Sequence, residues 1–149
     1  MPEAVRSITV NVPVEKFWAV ITDFGKYPEF LPEIRKCTVA DAGGGKTDVT
    51  YAIELALPVL NVTKTINYTL RMVPEPPKKL SWTLVKGDLK QNRGSWVLTP
   101  DGEGKTKVVY TLEIGVGLLI PNVVTTVLAE QQLPKMLENF KQRAEKLSK

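Results

Sequence analysis

The sequence has no histidine, which removes the side chain most often used to move protons near neutral pH and the commonest metal ligand. Cys37 is its single cysteine. An internal disulfide is therefore excluded, and so is a thiolate cluster for zinc or iron. With no imidazole to activate it, and lying in a segment that reads as a strand, Cys37 is expected to be a buried structural thiol rather than a nucleophile. The acidic residues Asp23, Glu29, Glu33, Glu54 and Glu113 stand apart or alternate with apolar positions, so neither a metal site nor a cofactor is expected. Long apolar runs are also missing: the longest, around 116–121, falls well short of the roughly 20 residues that cross a bilayer. The opening residues 1–6 carry no basic stretch followed by an apolar run, so no leader is expected and a cytoplasmic location is. Gly43-Gly44-Gly45 precedes a strand pattern rather than a helix, which makes it a hairpin tip and not a phosphate-binding loop.

What remains is ordinary globular material. The 149 residues, 43% hydrophobic and 24% charged, are enough to bury one core, and no linker, repeat or biased stretch divides them. One domain over 1–149 is expected. The formal net charge is +4, but Lys46, Lys64, Lys86, Lys105, Lys107 and Lys146 are dispersed among acidic residues. Dispersion of this kind describes a solvated surface, not a strip that would track DNA.

Periodicity sets out the elements. Ile8, Val10 and Val12 alternate with Ser7, Thr9 and Asn11, the period-two mark of a half-buried strand. Pro13 and Glu15 suit a helix N-terminus, and Phe17, Val20, Ile21 and Phe24 follow at helical spacing until Gly25. Tyr27, Pro28, Phe30, Leu31 and Pro32 add a rigid aromatic turn. From 35 to 115, alternating segments recur between turn clusters at 43–45, 74–79, 87–92 and 100–104, which predicts antiparallel neighbours with one apolar face. Val49, Tyr51, Ile53, Leu55 and Leu57 share that face. So do Val62, Ile66, Tyr68, Leu70 and Met72, then Leu80, Trp82 and Leu84, and finally Val108, Tyr110, Leu112 and Ile114. Its cover is the long amphipathic helix predicted by Val123, Val127, Leu133, Met136, Leu137, Phe140, Ala144 and Leu147, with Pro121 in its first turn and Pro134 bending it.

The order strand, two short helices, six strands, long helix resembles the helix-grip architecture of the START-like superfamily, which includes the polyketide cyclase/dehydrase and coenzyme Q-binding families. Val12-Pro13-Val14-Glu15-Lys16-Phe17-Trp18 and Asp23-Phe24-Gly25-Lys26-Tyr27-Pro28-Glu29-Phe30-Leu31-Pro32 resemble its opening. Gly94-Ser95-Trp96-Val97-Leu98-Thr99-Pro100 is similar to its sixth strand, and Ile120-Pro121-Asn122-Val123 with the run to Glu145 is similar to its terminal helix. The resemblance implies an α+β fold in which a curved antiparallel sheet of about seven strands wraps round a long C-terminal helix, leaving an apolar cavity. It implies a hydrophobic small molecule as partner, such as a lipid, an isoprenoid quinone or a polyketide-like compound, bound or transferred without catalysis. The same scaffold hosts cyclases that act on poly-β-keto chains and proteins described as ribosome-associated toxins, so cyclisation and ribosome or RNA contact stand as alternatives.

The candidate cavity wall consists of Tyr51 and Ile53, then Ile66, Tyr68 and Leu70, then Trp82 and Leu84, with Trp96, Tyr110 and Leu112 from the last strands. Val127, Leu133 and Met136 complete it from the helix. Broad apolar walls with a few hydroxyl handles are the usual make-up of a small-molecule site. Lys64 and Arg93 are the candidate polar handles at its edge. Leu57-Pro58 and Leu118-Leu119-Ile120, apolar where loops are usually polar, form the candidate portal, as a lid over the core or a surface for transient membrane contact. No catalytic residue is nominated.

Overall fold

Side chains alternate across a pleated strand, and here that alternation decides which face closes on the helix. The computed structural model describes residues 3–57, 61–116 and 126–147. Its strands are β1 (Glu3–Val10), β2 (Ile34–Gly43), β3 (Lys46–Leu57), β4 (Val62–Glu75), β5 (Lys79–Gly87), β6 (Leu89–Pro100) and β7 (Thr106–Val116). They form one sheet in the order β1-β7-β6-β5-β4-β3-β2, and every neighbouring pair is antiparallel. Between β1 and β2 run α1 (Val14–Ile21) and α2 (Phe24–Glu29), the latter wound as a 3-10 helix. A π-wound segment, Val127–Gln132, passes directly into α3 (Leu133–Leu147). The curved sheet grips this terminal helix.

The burial pattern follows the pleat. Val49, Tyr51, Ile53 and Leu55 of β3 are buried, while Thr50 and Ala56 on the other parity are exposed. The helix answers with Leu133, Leu137, Phe140 and Ala144, all buried and spaced to form one stripe. α1 adds Val14, Phe17, Val20 and Ile21.

Three local expectations are corrected. α1 ends at Ile21 rather than at Gly25, because the Thr22 hydroxyl and amide both close on the Trp18 carbonyl, and Gly25 falls inside α2. Val62 is 51% exposed despite its inward parity. The pairing of β4 with β5 begins only at Tyr68, so the Val62 end projects beyond the covered part of the sheet. Pro134 does not act alone as a kink. Proline donates no hydrogen bond to the preceding turn, and the wide π turn of 127–132 sits where that loss falls. Pro121 and Val123 lie outside the described residues.

Gly94 is the point at which β6 must pass close to its neighbours. A Cβ there would overlap the Thr111 carbonyl oxygen and stand 2.7 Å from Cζ2 of Trp82, the residue directly opposite on β5. Gly94→Ala is therefore expected to lower unfolding free energy in urea by about 1–3 kcal/mol through overpacking. Gly25→Ala, where nothing lies within 4 Å, is expected to stay within about 0.5 kcal/mol of the parent. Equal urea midpoints for the two variants would show that the backbone gives way at no cost.

Candidate functional site

The concave face and α3 do not meet everywhere. Between them lies a cavity of about 120 Å³. Apolar cavities of roughly 150 Å³ hold a single benzene ring, whereas sites for drug-sized ligands run from about 300 to 1,000 Å³. The space suits one ring or a short chain.

Aromatic rings form most of the wall. Tyr68 on β4 stands 5.3 Å from Tyr51 on β3, Tyr51 is 6.4 Å from Tyr27 on α2, and Tyr27 is 5.1 Å from Phe140 on α3. Phe140 is in turn 4.9 Å from Trp96 on β6, Trp96 is 4.7 Å from Tyr110 on β7, and Tyr110 is 5.4 Å from Trp82 on β5. The result is a continuous belt, in which each ring contact adds about 0.5–1.5 kcal/mol beyond its buried area. Strand register builds it, since Tyr51 lies directly across from Tyr68 and Trp96 across from Tyr110.

Polar groups are few and differ in what they have to offer. Trp82 Nε1 donates to Asn92 Oδ1 at 2.9 Å, with both residues buried. The Tyr27 hydroxyl donates to the Ile21 carbonyl and is spent there. Tyr51, Tyr68 and Tyr110 also line the cavity, and among the described residues their hydroxyls have no hydrogen-bond partner. Burial raises the pKa of all four tyrosines, so each is a neutral phenol that can both donate and accept. Gln132 adds an amide from the π-wound segment.

Glu33 brings charge to this wall. It sits between α2 and β2, where its backbone carbonyl accepts from the Glu54 amide at 2.8 Å. Desolvation raises its pKa, opposed by its own backbone amide and by the Lys135 ammonium. Glu33 also adds to the upward push that burial gives Tyr68, so the two groups lie in each other's field.

Of the residues expected on the wall, Tyr51, Ile53, Tyr68, Leu70, Trp82, Trp96, Tyr110, Leu112, Leu133 and Met136 are there. Ile66, Leu84 and Val127 are not. Ile66 and Val127 are 0% and 2% exposed and sit in packed core. Leu84 is half-buried beside the pairing shift at Thr69 and Leu70. Arg93 is corrected outright: it is exposed on the opposite face, with its guanidinium on the Glu113 carboxylate at 2.8–2.9 Å. It stands three residues from inward-facing Trp96, an odd step that crosses the pleat. Asn92, an even step away, takes the inward place. Lys64 is half-buried but lies off the wall. Leu57 ends β3, while Pro58, Leu118, Leu119 and Ile120 lie outside the described residues. Cys37 is half-buried, its thiol donates to the Phe24 carbonyl at 3.2 Å, and burial pushes its pKa up to about 11. That is the setting of a structural thiol.

Residues 1–145 match the model of a family described as polyketide cyclase/dehydrase and lipid transport. The chain belongs to this family. A crystal structure from Thermus thermophilus superposes with a TM-score of 0.84 at 20% identity, covering 99% of this chain and all of that one (100%). The Zhui aromatase/cyclase of a Streptomyces species gives 0.82 at 17% identity, covering 99% and 96%. At these identities the likeness is one of fold. Among curated relatives, the ribosome association toxin RatA of Vibrio cholerae is 27% identical over 113 residues, 76% of this chain and 74% of its own length. Family membership supports a ligand-binding or cyclase role. No described helix is long and apolar enough to cross a membrane.

The half-buried Glu33 carboxylate has a thermodynamic consequence. A carboxyl whose folded-state pKa lies above its unfolded value holds its proton more tightly when folded, so stability falls as pH rises through the window between the two values. Glu33→Gln keeps the shape and drops the charge. It is expected to raise the urea midpoint at about pH 7 and leave it unchanged at about pH 3, where both states are protonated. A lower midpoint at neutral pH would mean that partners, not desolvation, govern this group.

Proposed function

We propose that the chain binds a small hydrophobic molecule in the cavity between α3 and the sheet, without converting it. The observation that carries this reading is a void walled by apolar and aromatic groups, with three tyrosine hydroxyls that no described residue uses. Burial of apolar surface, at about 25 cal/mol per Å², drives entry. The hydroxyls orient the polar end. A description that includes lipid transport supports the same reading.

Cyclisation of a poly-β-keto chain is less well supported. Proton transfer needs a group that titrates near the working pH; burial pushes the tyrosines and Cys37 away from it, and Glu33 is the one ionisable wall group that desolvation moves toward it. The space also matches one ring rather than several. Ribosome contact, the reading suggested by the name of the Vibrio relative, would draw on basic surface. The cleft between α1, α2 and α3 gathers Lys16, Lys26 and Arg143, but Lys26 and Arg143 both pair with Glu29, at 3.4 and 2.9 Å.

Titration of the whole protein with toluene, followed by amide and indole NMR shifts, is the test. Saturable shifts confined to the wall, including the Trp82 and Trp96 indoles, are expected. Leu112→Phe, which fills the void, is expected to abolish them while keeping the fold's spectrum. No shift at saturating toluene would overturn the proposal.

A further inference from the structure

With Arg93 on the outer face, Glu33 is the one charged side chain among the described lining residues. The neighbouring cations are otherwise placed. Arg35 pairs with Glu54 and Arg143 with Glu29, while Lys135, exposed on α3, acts on Glu33 from outside the wall. The segments 58–60 and 117–125 contain no Lys or Arg in the sequence.

We infer that the cavity selects compact hydrophobic molecules whose polar end donates a hydrogen bond, an alcohol, phenol or protonated amine, and that it rejects carboxylates, with Glu33 as the anchor. This rests on the binding function proposed above and specifies its ligand class. The three tyrosine hydroxyls are indifferent to the sign of the guest, because a phenol donates or accepts as required. Glu33 is not. A carboxylate with little competing hydration forms a short, charge-assisted bond to a donor. A second carboxylate beside it would be repelled by Glu33 with no cation on the described wall to offset it, so it must either stay in water or take up a proton on entry. Desolvation raises the pKa of Glu33 in spite of the opposing pull of Lys135 from α3.

Three near-isosteric probes separate the possibilities: benzyl alcohol, benzylamine and benzoate, titrated at about pH 8 against the whole protein, with toluene as the headless control. Benzyl alcohol and benzylamine are expected to bind, and benzoate to bind at least about tenfold more weakly, the equivalent of one charged contact. In Glu33→Gln the benzylamine affinity is expected to fall by about tenfold and benzoate to come within about threefold of benzyl alcohol, with toluene unchanged. Benzoate binding as well as benzyl alcohol in the parent protein would overturn the inference, and toluene binding in the same experiment would leave the cavity reading standing. Unaltered selectivity in Glu33→Gln would remove Glu33 as the anchor. Failure of all four probes would overturn both.

Discussion

Phe140 holds the terminal helix off the sheet. Its ring, 1% exposed, meets Tyr27, Phe30 and Trp96 edge-on at centroid distances of 5.1, 5.0 and 4.9 Å. Rigid rings meeting at their edges keep their centres about 5 Å apart and do not deform to fill a neighbouring gap. The middle of α3 is therefore anchored on aromatic contacts, while Leu133 and Met136 nearer its start face open volume. The cavity follows from this spacing. Collapse would require the belt from Tyr68 to Trp82 to break several ring contacts at once.

The two faces of the sheet divide the polar work. On the outer face, charged and hydroxyl side chains satisfy one another across strands: Arg71 grips Asp48 through two bonds of 2.9 and 3.0 Å, Arg93 grips Glu113, and Thr50 meets Thr69 at 2.8 Å. Ion pairs at the surface of a sheet add little stability, but opposite partners favour one register over its slipped alternatives. Register in turn places Tyr51 against Tyr68 and Trp96 against Tyr110. On the inner face the Trp82–Asn92 bond is closed, whereas the hydroxyls of Tyr51, Tyr68 and Tyr110 have no hydrogen-bond partner among the described residues. Specificity of pairing outside thus fixes the polar pattern inside.

The architecture was legible because two simple periods carry it. Alternation in β3 to β7 assigns the inner face, and the spacing of Leu133, Leu137, Phe140 and Ala144 assigns its cover. The site was read less well, for reasons that lie in the same geometry. Arg93 reads as a polar handle at the cavity edge, although its parity relative to Trp96 sets it on the other side and gives the inward place to Asn92. Leu84 keeps the inward parity of Trp82 and pairs with Leu70, but it packs against the core just before the pairing shift and does not reach the wall. Glu33 lies between α2 and β2, outside any periodic segment, so no face could be assigned to it. Its one signal was a carboxylate set between the apolar run Phe30-Leu31-Pro32 and Ile34. Tyr27 reads as part of a rigid aromatic turn, yet its part in the wall depends on α2 packing back on the sheet so that its ring meets Tyr51, which local spacing does not encode.

A fold shared at a TM-score of 0.82 with an aromatase/cyclase leaves the chemistry to the wall. A wall that moves protons needs a group that changes protonation within the working pH range. Here burial moves the phenols away from that range, because the apolar environment that makes the cavity attractive to a hydrocarbon also disfavours every anion within it. Glu33 is subject to the same pressure from the opposite side, since desolvation carries a carboxyl upward toward neutrality. On the binding function proposed above, the cavity's hydrophobicity does two things at once: it draws in an apolar guest, and it leaves a single carboxyl among the described lining residues as the group whose charge that guest must accommodate. Selectivity and reactivity at this site would both be governed there, by how far a guest's own hydrogen-bond donor restores the solvation that Glu33 has lost.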